Sequence, residues 1–195
     1  MTTPGYEAIV LGASTGGMQL LKRLLSALPA DYSLPLMVVQ HLDDRSSGTL
    51  ADLLDSWCAI RVKEADEKEA ILAGTLYIAP ANYHLLVERD RSLSLTVDER
   101  VNYARPAIDV LFETAADAYG AGLVGLVLSG ANADGARGLK YIRDKGGLAV
   151  VQDPQTAEAA AMPRAAIALA RPQRVLAPDG IEQLLLELHG KEAGR

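Results

Sequence analysis

Short, almost wholly apolar segments alternate along this chain with longer segments in which apolar residues recur every three or four positions. The short runs, bounded by glycine or proline, are typical of strands buried on both faces, and the longer segments are typical of amphipathic helices. This alternation predicts a doubly wound α/β fold, in which a mainly parallel sheet carries helices on both faces. Such folds form their ligand sites outside the carboxyl ends of the strands.

Most of the chain can be assigned to one of these two kinds of segment. The expected strands are residues 8–11, 36–40, 60–62, 75–79, 123–128, 148–152 and 174–176, of which 8–11, 36–40 and 123–128 are expected to be buried. The expected helices are residues 17–28, 47–57, 107–119, 135–145, 156–170 and 180–188, and the tail that follows is expected to be frayed. Residues 84–88 and 92–97 flank a polar turn and predict an antiparallel hairpin insertion.

Composition narrows the class of protein. The 195 residues suit one domain, and no apolar run approaches the ~20 residues that cross a bilayer. The first six residues lack the basic and apolar regions of a signal peptide. The single cysteine, Cys58, excludes an internal disulfide and is expected to be a buried thiol, so a cytoplasmic location is favoured. A net charge of −6 gives no indication of nucleic-acid or membrane binding.

Three of the expected strands end in residues with the chemistry of a nucleophilic site. Ser14 follows the first strand, His41 follows the second, and Asp134 lies in the loop after residues 123–128. A serine hydroxyl becomes nucleophilic when an imidazole lies within hydrogen-bond reach, and that imidazole needs a partner that fixes its tautomer. The three residues therefore predict a serine hydrolase with a nucleophile, a base and an orienting group.

The turn around Ser14 matches the G-x-S-x-G pattern, in which small residues let a strand turn sharply into a helix. We expect Ser14 at the tip of a strained turn, with the backbone N–H of Thr15 beside the reacting carbonyl as an oxyanion donor. The same pattern is also typical of a glycine-rich turn that only closes a strand against a helix. This motif alone leaves both interpretations open.

The choice of base is narrow because the chain has three histidines. His189 is expected in the frayed tail, and His84 opens a hairpin strand, where a packed or surface histidine is the usual role. His41 directly follows a buried strand, at the edge of the sheet where sites form. A core histidine bonded to the backbone remains the alternative interpretation of His41.

The orienting carboxylate is less well determined. Asp134 is also a good N-cap for the helix that follows it. Asp109, within a helix and expected to be solvated, and Asp153, in an expected turn before a proline, are rivals. Position at a strand end does not separate Asp134 from Asp153.

A series of ordered motifs gives the chain a more specific resemblance. They are Gly-Ala-Ser-Thr-Gly-Gly at 12–17, Gln40-His41, Tyr77-Ile78-Ala79-Pro80 with His84-Leu85, Arg105-Pro106 with Asp109, Leu111 and Phe112, Asp134-Gly135, Gln152-Asp153, and Met162-Pro163. From about residue 6 to residue 188 the chain resembles the chemotaxis receptor protein-glutamate methylesterases, the catalytic domain of CheB. Several motifs in one order are far more specific than a single G-x-S-x-G.

The resemblance implies that Ser14 is the nucleophile, His41 the base and Asp134 the orienting group, which favours Asp134 over Asp153. It implies hydrolysis of γ-glutamyl methyl esters on the cytoplasmic helices of chemoreceptors, with release of methanol, no cofactor and no metal. Deamidation of glutamine is a further activity of some family members. The order Ser…His…Asp differs from the Ser…Asp…His of the common α/β-hydrolase fold, which implies a convergent triad on another doubly wound sheet.

The resemblance also implies contacts, partners and domain organisation. The expected oxyanion and substrate contacts are Thr15, Gly16, Arg105 and Ala131. The expected partner is a methylated chemoreceptor, with a receptor methyltransferase or a separate receiver protein as further candidates, and neither nucleic-acid binding nor membrane insertion is expected. Residues 1–195 are expected to form one catalytic domain, without the phosphorylatable receiver domain that family members usually carry.

The chain departs from the family pattern in the loop before Asp134. This loop reads Ser-Gly-Ala-Asn at 129–132, where the family usually has Thr-Gly-Met-Gly, so the methionine that lines the family's site is Ala131 here. Asp43 stands where members often have proline. These differences concern substrate geometry and rate more than the triad.

Two rival functions belong to other classes. A glycine-rich turn also binds pyrophosphate, and Tyr141 and Lys145, with Ser129 upstream, resemble the short-chain dehydrogenases. Met18 at the third glycine position and His41 in place of an acidic ribose-binding residue argue against this nucleotide-dependent oxidoreductase. The second rival is a non-catalytic family member that only binds receptors, because the loop before the aspartate is altered.

Overall fold

The computed structural model describes residues 5–41 and 49–192. The strands are β1 (Ala8–Ala13), β2 (Leu36–Gln40), β3 (Arg61–Glu64), β4 (Thr75–Ile78), β5 (His84–Val87), β6 (Leu93–Thr96), β7 (Leu123–Val127), β8 (Leu148–Gln152) and β9 (Arg174–Leu176). The α-helices are α1 (Gly17–Ser26), α2 (Thr49–Asp55), α3 (Ile108–Tyr119), α4 (Ala136–Asp144), α5 (Ala161–Ala170) and α6 (Pro178–Glu192).

Seven of these strands form one sheet in the order β3-β4-β2-β1-β7-β8-β9, and every pairing within it is parallel. β5 and β6 pair with each other as an antiparallel hairpin. The predicted doubly wound α/β fold with a hairpin insertion is confirmed, and the hairpin forms its own two-stranded sheet. Across the described residues, no helix combines the length and apolar character that crossing a membrane requires.

The two faces of the sheet pack against different helices. Along β1, Ile9 and Leu11 join the core formed with α1, α2 and α6, whereas Ala8 and Val10 join the core formed with α3, α4 and α5. Because side chains alternate along a strand, a strand buried on both faces must be apolar at every position, and all six residues of β1 are buried. This double burial explains the unbroken apolar runs in the sequence.

At the central strand β1 the direction in which the chain adds strands to the sheet reverses. The chain passes from β1 to β2 on one side, and it returns to β7 on the other side. Ala13 is paired with Gln40, and Gly12 with Val127, so the carboxyl ends of β1, β2 and β7 lie side by side. The residues that follow these three strands meet in the crevice where doubly wound proteins bind their ligands.

Two expected elements differ from the structure. The helix expected at 156–170 begins only at Ala161, because the preceding segment binds the loop after β7: the N–H of Gly130 donates to the Ala159 carbonyl at 2.9 Å. The tail expected to fray after residue 188 instead continues α6 as far as Glu192, and residues 193–195 lie outside the described residues. His189 stacks on Tyr32 and accepts a hydrogen bond from the Ser33 N–H.

Smaller corrections concern α2 and the thiol. The described part of α2 begins at Thr49 and ends at Asp55, and residues 47 and 48 of the expected helix, like Asp43, lie outside the described residues. Cys58 lies just after α2 and is half-buried, not fully buried as expected. Burial and the neighbouring charge of Asp55 raise the pKa of this thiol, which makes it a poor nucleophile.

Gly12 lets α3 approach β1 closely, which gives a testable effect on stability. A Cβ at this position would lie 2.4 Å from Cγ2 of the fully buried Ile108, so Gly12→Ala should lower the free energy of unfolding by about 1–3 kcal/mol. Gly180→Ala, in α6, is the control, because its Cβ would meet only the Leu176 side chain, at ordinary distances of 3.5 Å or more. It should stabilise by about 0.4–1 kcal/mol in chemical denaturation, and equal stabilities for the two variants would contradict the close approach.

Candidate active site

Ser14 begins the turn that connects β1 to α1. Its N–H donates to the Ser129 carbonyl after β7, and its carbonyl accepts from the Gly17 N–H, both at 2.9 Å. The left-handed backbone expected of a strained turn lies at Gly16, which has φ 74° and is the N-cap of α1. A Cβ on Gly16 would lie 2.5 Å from Cβ of Glu158. In this turn glycine, and not the serine, therefore takes the unusual conformation.

Gln40 ties the end of β1 to the end of β2. Its side-chain Nε2 donates to the carbonyls of Ser14 and His41, each at 3.0 Å, while the His41 N–H donates to the Ala13 carbonyl at 3.0 Å. Because Gln40 is 6% exposed, these hydrogen bonds are shielded from water. They fix the backbones that carry the serine and the histidine relative to each other.

The structure brings His41 and Asp134 into direct contact. Nε2 of His41 lies 2.9 Å from Oδ2 of Asp134. The imidazole is 14% exposed and the carboxylate is completely buried. This contact leaves Nδ1 of His41 as the ring nitrogen available to a neighbouring group.

Asp134 receives hydrogen bonds on both carboxylate oxygens. The Ile108 N–H and His41 bind Oδ2, and the Asp109 N–H and the Asn102 side chain bind Oδ1, at distances between 2.7 and 3.0 Å. Burial alone would raise the pKa of Asp134, but these hydrogen bonds outweigh it and hold the pKa below its usual value. The buried carboxylate is therefore kept ionised.

Asp134 caps a helix other than the one the sequence suggests. The N-cap of α4 is Gly135, and no side chain caps it. The backbone donors on Asp134 come instead from Ile108 and Asp109 in the first turn of α3, where the helix dipole favours a negative charge. The Asp134 N–H donates to Oδ1 of Asn132 at 3.0 Å, so the asparagine that departs from the family pattern supports the loop.

The rival carboxylates lie elsewhere. Asp109, expected to be solvated, is 2% exposed and accepts hydrogen bonds from the Gly138 N–H of α4 and from Asn102. Asp153 caps a turn, where its Oδ1 accepts from the Gln155 N–H. Neither carboxylate hydrogen-bonds to His41, which leaves Asp134 as its partner within the described residues.

A cavity of about 270 Å³ opens beside Ser14 and His41. Its other lining residues come mostly from the segment between β6 and α3, and they are Arg100, Asn102, Tyr103, Ala104, Arg105, Pro106 and Asn132. Tyr103 is 97% exposed at its rim. The cavity is open to solvent.

The predicted substrate contacts are distributed unevenly around this cavity. Arg105 lines it, with Nη1 donating to the carbonyls of Val97 and Asp98 at 2.6 and 3.0 Å. Ala131 is exposed and does not line it, and the next residue, Asn132, lies there instead. Thr15 is exposed beside Ser14, and its carbonyl accepts from Oγ of Ser129 at 2.8 Å.

The two other histidines have structural environments. His84 is 1% exposed, and its ring binds the Glu99 carbonyl and the Ala107 N–H, as expected of a packed histidine. His189 lies on α6, which packs on the opposite face of the sheet from α3. Within residues 5–41 and 49–192, no group of three or more His, Cys, Asp or Glu side chains is arranged to hold a metal ion.

Comparison with known proteins identifies the family. A family model described as CheB methylesterase matches residues 9–185. This chain belongs to the CheB methylesterase family. The resemblance predicted from the ordered motifs is confirmed.

Relatives and a solved structure agree with this assignment. A Leptospira interrogans protein, provisionally named protein-glutamate methylesterase/protein-glutamine glutaminase, is 51% identical over 94% of this chain and 95% of its own length. A protein of the same name from Archaeoglobus fulgidus is 38% identical over 83% of this chain, and the match spans 47% of its length. The crystal structure of the Thermotoga maritima CheB methylesterase catalytic domain matches with a TM-score of 0.89 and 31% identity, over 95% of this chain and all of that one.

The oxidoreductase alternative is not favoured for a CheB methylesterase family member, and its key residues have other partners. The hydroxyl of Tyr141 donates to Asp117 at 2.9 Å, and Nζ of Lys145 pairs with the same carboxylate at 2.8 Å. Oγ of Ser129 binds the loop that carries Thr15. The Tyr-x-x-x-Lys pair therefore belongs to a surface ion-pair network between α3 and α4.

Sequence reasoning did not identify Asn102, and it named Ser129 without identifying its role at this site. Asn102 reaches both Asp109 and Asp134, and Ser129 holds the serine loop through its backbone and its hydroxyl. Asn102 lies in an irregular segment without periodicity, so only its place just before the Arg105-Pro106 motif could have drawn attention to it. Ser129 directly follows the expected strand 123–128, and its strand-end position was the available signal.

Proposed function

We propose that this chain hydrolyses γ-glutamyl methyl esters on methylated chemoreceptors, using Ser14 as nucleophile, His41 as base and Asp134 as orienting group. The observation that carries the proposal is the His41–Asp134 hydrogen bond, which lies beside Ser14 at the carboxyl ends of neighbouring strands. Membership of the CheB methylesterase family supplies the substrate class. The chemistry of the three site residues alone supplies only the reaction class, acyl transfer to a serine.

The reaction begins with proton transfer from Ser14 to His41. Because Nε2 of His41 is bound to Asp134, Nδ1 is the nitrogen that takes the hydroxyl proton. Oγ of Ser14 then attacks the ester carbonyl, and a tetrahedral intermediate with a negative oxygen forms. His41 returns the proton to the leaving methoxide, so methanol departs and a glutamyl ester of Ser14 remains. A water molecule, activated by the same imidazole, releases the glutamate and restores the serine.

The oxyanion contacts are proposed at the start of α1. The backbone N–H groups of Thr15 and Gly16 lie at the N-terminal end of this helix, where the helix dipole favours negative charge. Arg105 and the exposed Arg100 line the same cavity and supply positive charge near the acidic helix of a chemoreceptor. Since the reaction acts on the cytoplasmic helices of receptors, the proposal includes a cytoplasmic site of action.

Glutamine deamidation is a second candidate activity of the same site. The relatives from Leptospira and Archaeoglobus carry names that include protein-glutamine glutaminase. An amide requires the same serine attack, but ammonia must leave in place of methanol, so the imidazolium of His41 has to protonate a more basic leaving group. Ammonia release from receptors with unmodified glutamines would measure this activity.

Receptor-containing membranes with radiolabelled methyl esters test the main proposal. Incubation with this chain should release labelled methanol at a rate proportional to enzyme concentration, whereas heat-treated chain should release none. A fluorophosphonate probe, which reacts with activated serines, should label Ser14 in parallel. Labelling by the probe without methanol release would overturn the substrate, and absence of both would favour the non-catalytic receptor-binding alternative.

A further inference from the structure

Two buried carboxylates near the active site cap each other's helices. Asp134, just before α4, accepts from the Ile108 and Asp109 N–H groups of α3. Asp109, on α3, accepts from the Gly138 N–H of α4 at 2.7 Å. Both side chains are 2% exposed or less. The two helices are thereby joined at their N-terminal ends, and two negative charges are brought together away from water.

This arrangement has an electrostatic cost. Burial raises the pKa of Asp109, and the charge of Asp134 adds to that rise. When two carboxylates share a buried site, one of them tends to keep a proton. If Asp134 took that proton, it would no longer stabilise the imidazolium that forms on His41.

Asn102 is the side chain that binds both carboxylates. Its Nδ2 lies 2.9 Å from Oδ2 of Asp109 and 2.9 Å from Oδ1 of Asp134. A carboxamide nitrogen has two N–H groups, so each carboxylate can receive one of them. Asn102 adopts φ 53°, a left-handed conformation that asparagine tolerates better than most residues.

The other charged groups around the pair are few among the described residues. His41, after β2, faces Oδ2 of Asp134. From α4, Nε of Arg137 lies 3.9 Å from Oδ2 of Asp109, but it is shared with Glu113 of α3, which it binds at 2.8 Å. Arg137 is 61% exposed, so solvent screens its charge. A direct donor on Asp134 is therefore more effective than this cation.

We propose that Asn102 is a positioning residue, which keeps the Asp134 carboxylate ionised and directed toward His41 by placing one N–H on each of the two buried carboxylates. The proposal deepens the esterase mechanism above and rests on it. Oδ1 of Asp134 is held by Asn102 and the Asp109 N–H, so Oδ2 stays in place for the imidazole. Asn102 also lines the substrate cavity, which places this control at the reacting end of the site.

Asn102→Gly tests the role, because glycine accepts the left-handed backbone and removes only the side chain. The kcat for methanol release should fall about 10- to 100-fold, the range for loss of one hydrogen bond to a charged group, while KM stays nearly constant. The acid limb of the kcat profile should move to higher pH, because removing a donor raises the pKa of Asp134. Asn102→Asp keeps the size but adds a third carboxylate, and it should lose more activity at neutral pH.

Asn82→Gly is the matched control. Asn82 is an exposed, left-handed asparagine with φ 65° in the loop after β4, outside the cavity, and its removal should leave kcat and the pH profile unchanged. Titration with a fluorophosphonate gives the fraction of active enzyme. A lower kcat in Asn102→Gly that only matches a lower active fraction, with an unmoved pH profile, would mean a purely structural role and would overturn the proposal.

The rate of phosphonylation of Ser14 against pH separates this proposal from the substrate assignment. It reports the Ser14–His41–Asp134 arrangement without any receptor. If the wild-type chain reacts with the probe but releases no methanol, the substrate is wrong, and the pH dependence of labelling in Asn102→Gly still decides the role of Asn102. A wild-type chain that reacts with neither would overturn both proposals, and unchanged labelling rates in Asn102→Gly would overturn this one alone.

Discussion

Ser14→Ala should abolish methanol release and fluorophosphonate labelling while leaving the fold intact. In serine hydrolases, loss of the nucleophile lowers kcat by about 10⁶-fold, so turnover should fall to the limit of detection. The hydrogen bonds that hold this turn, from the Ser14 N–H to the Ser129 carbonyl and from the Gly17 N–H to the Ser14 carbonyl, are made by the backbone and survive the substitution. The expected change in melting temperature is accordingly small.

Ser26→Ala is the control for this variant. Ser26 is an exposed serine at the last turn of α1, and its hydroxyl donates to the Lys22 carbonyl, so its loss should leave turnover unchanged. Circular dichroism melts and methanol release are measured on the same preparations. A folded Ser14→Ala chain that retains more than a trace of turnover would exclude Ser14 as the nucleophile.

The predictable part of this site follows from local sequence and from one rule of topology. Apolar runs mark the strands, and chain order places Ser14, His41 and Asp134 after three of them. The rule that doubly wound sheets bind ligands at the carboxyl ends of strands then points to one edge. What the rule could not supply is strand order: β1 lies between β2 and β7, and this adjacency makes the three residues neighbours.

Contacts between distant segments were the part that could not be predicted. Asp134 directly precedes a helix, so local rules make it a cap for α4, but its donors come from Ile108 and Asp109 of α3, about 25 residues earlier. The contact of Asn102 with Asp134 likewise joins an irregular segment to a strand-end loop. Periodicity carries no information about such contacts, because each depends on how segments distant in the sequence pack against each other.

The same limit explains the errors in the chain's C-terminal third. Small residues between 156 and 170 have helical propensity, yet Ala159 bonds to Gly130 and Ser129, so helix α5 starts later. His189 was expected in a frayed tail, but its ring packs on Tyr32, and the hydrogen bond from Ser33 holds the last turns of α6. In both places a tertiary contact outweighs local propensity.

Asp134→Asn should lower turnover by about 10⁴-fold, as the equivalent change does in the trypsin triad. The asparagine oxygen can accept hydrogen bonds on one side only, and its NH₂ would face donors on the other side. If the NH₂ lies toward Nε2 of His41, it donates to that nitrogen and leaves the proton on Nδ1, the nitrogen that must accept it from Ser14. The nucleophile is then no longer activated.

This substitution should also destabilise the fold, because Asp134 is completely buried and caps α3. At least one backbone or side-chain donor is left without an acceptor, at a cost of about 1–3 kcal/mol. The penalty should depend on pH. Since the pKa of Asp134 is lower in the folded than in the unfolded chain, its stabilisation is present above the unfolded pKa, about 4, and is lost as the pH falls through the folded value.

Melting temperatures of the wild-type and Asp134→Asn chains between pH 3 and 7 measure this effect. The difference should be largest above about pH 5 and should shrink toward pH 3, since a protonated Asp134 loses its advantage over asparagine. Asp153→Asn is the control, because Asp153 only caps a turn and its loss should leave turnover nearly unchanged. Loss of turnover in Asp153→Asn with retention in Asp134→Asn would reverse the assignment of the orienting carboxylate. A constant difference in melting temperature at every pH would instead mean that Asp134 is not held ionised by its four donors.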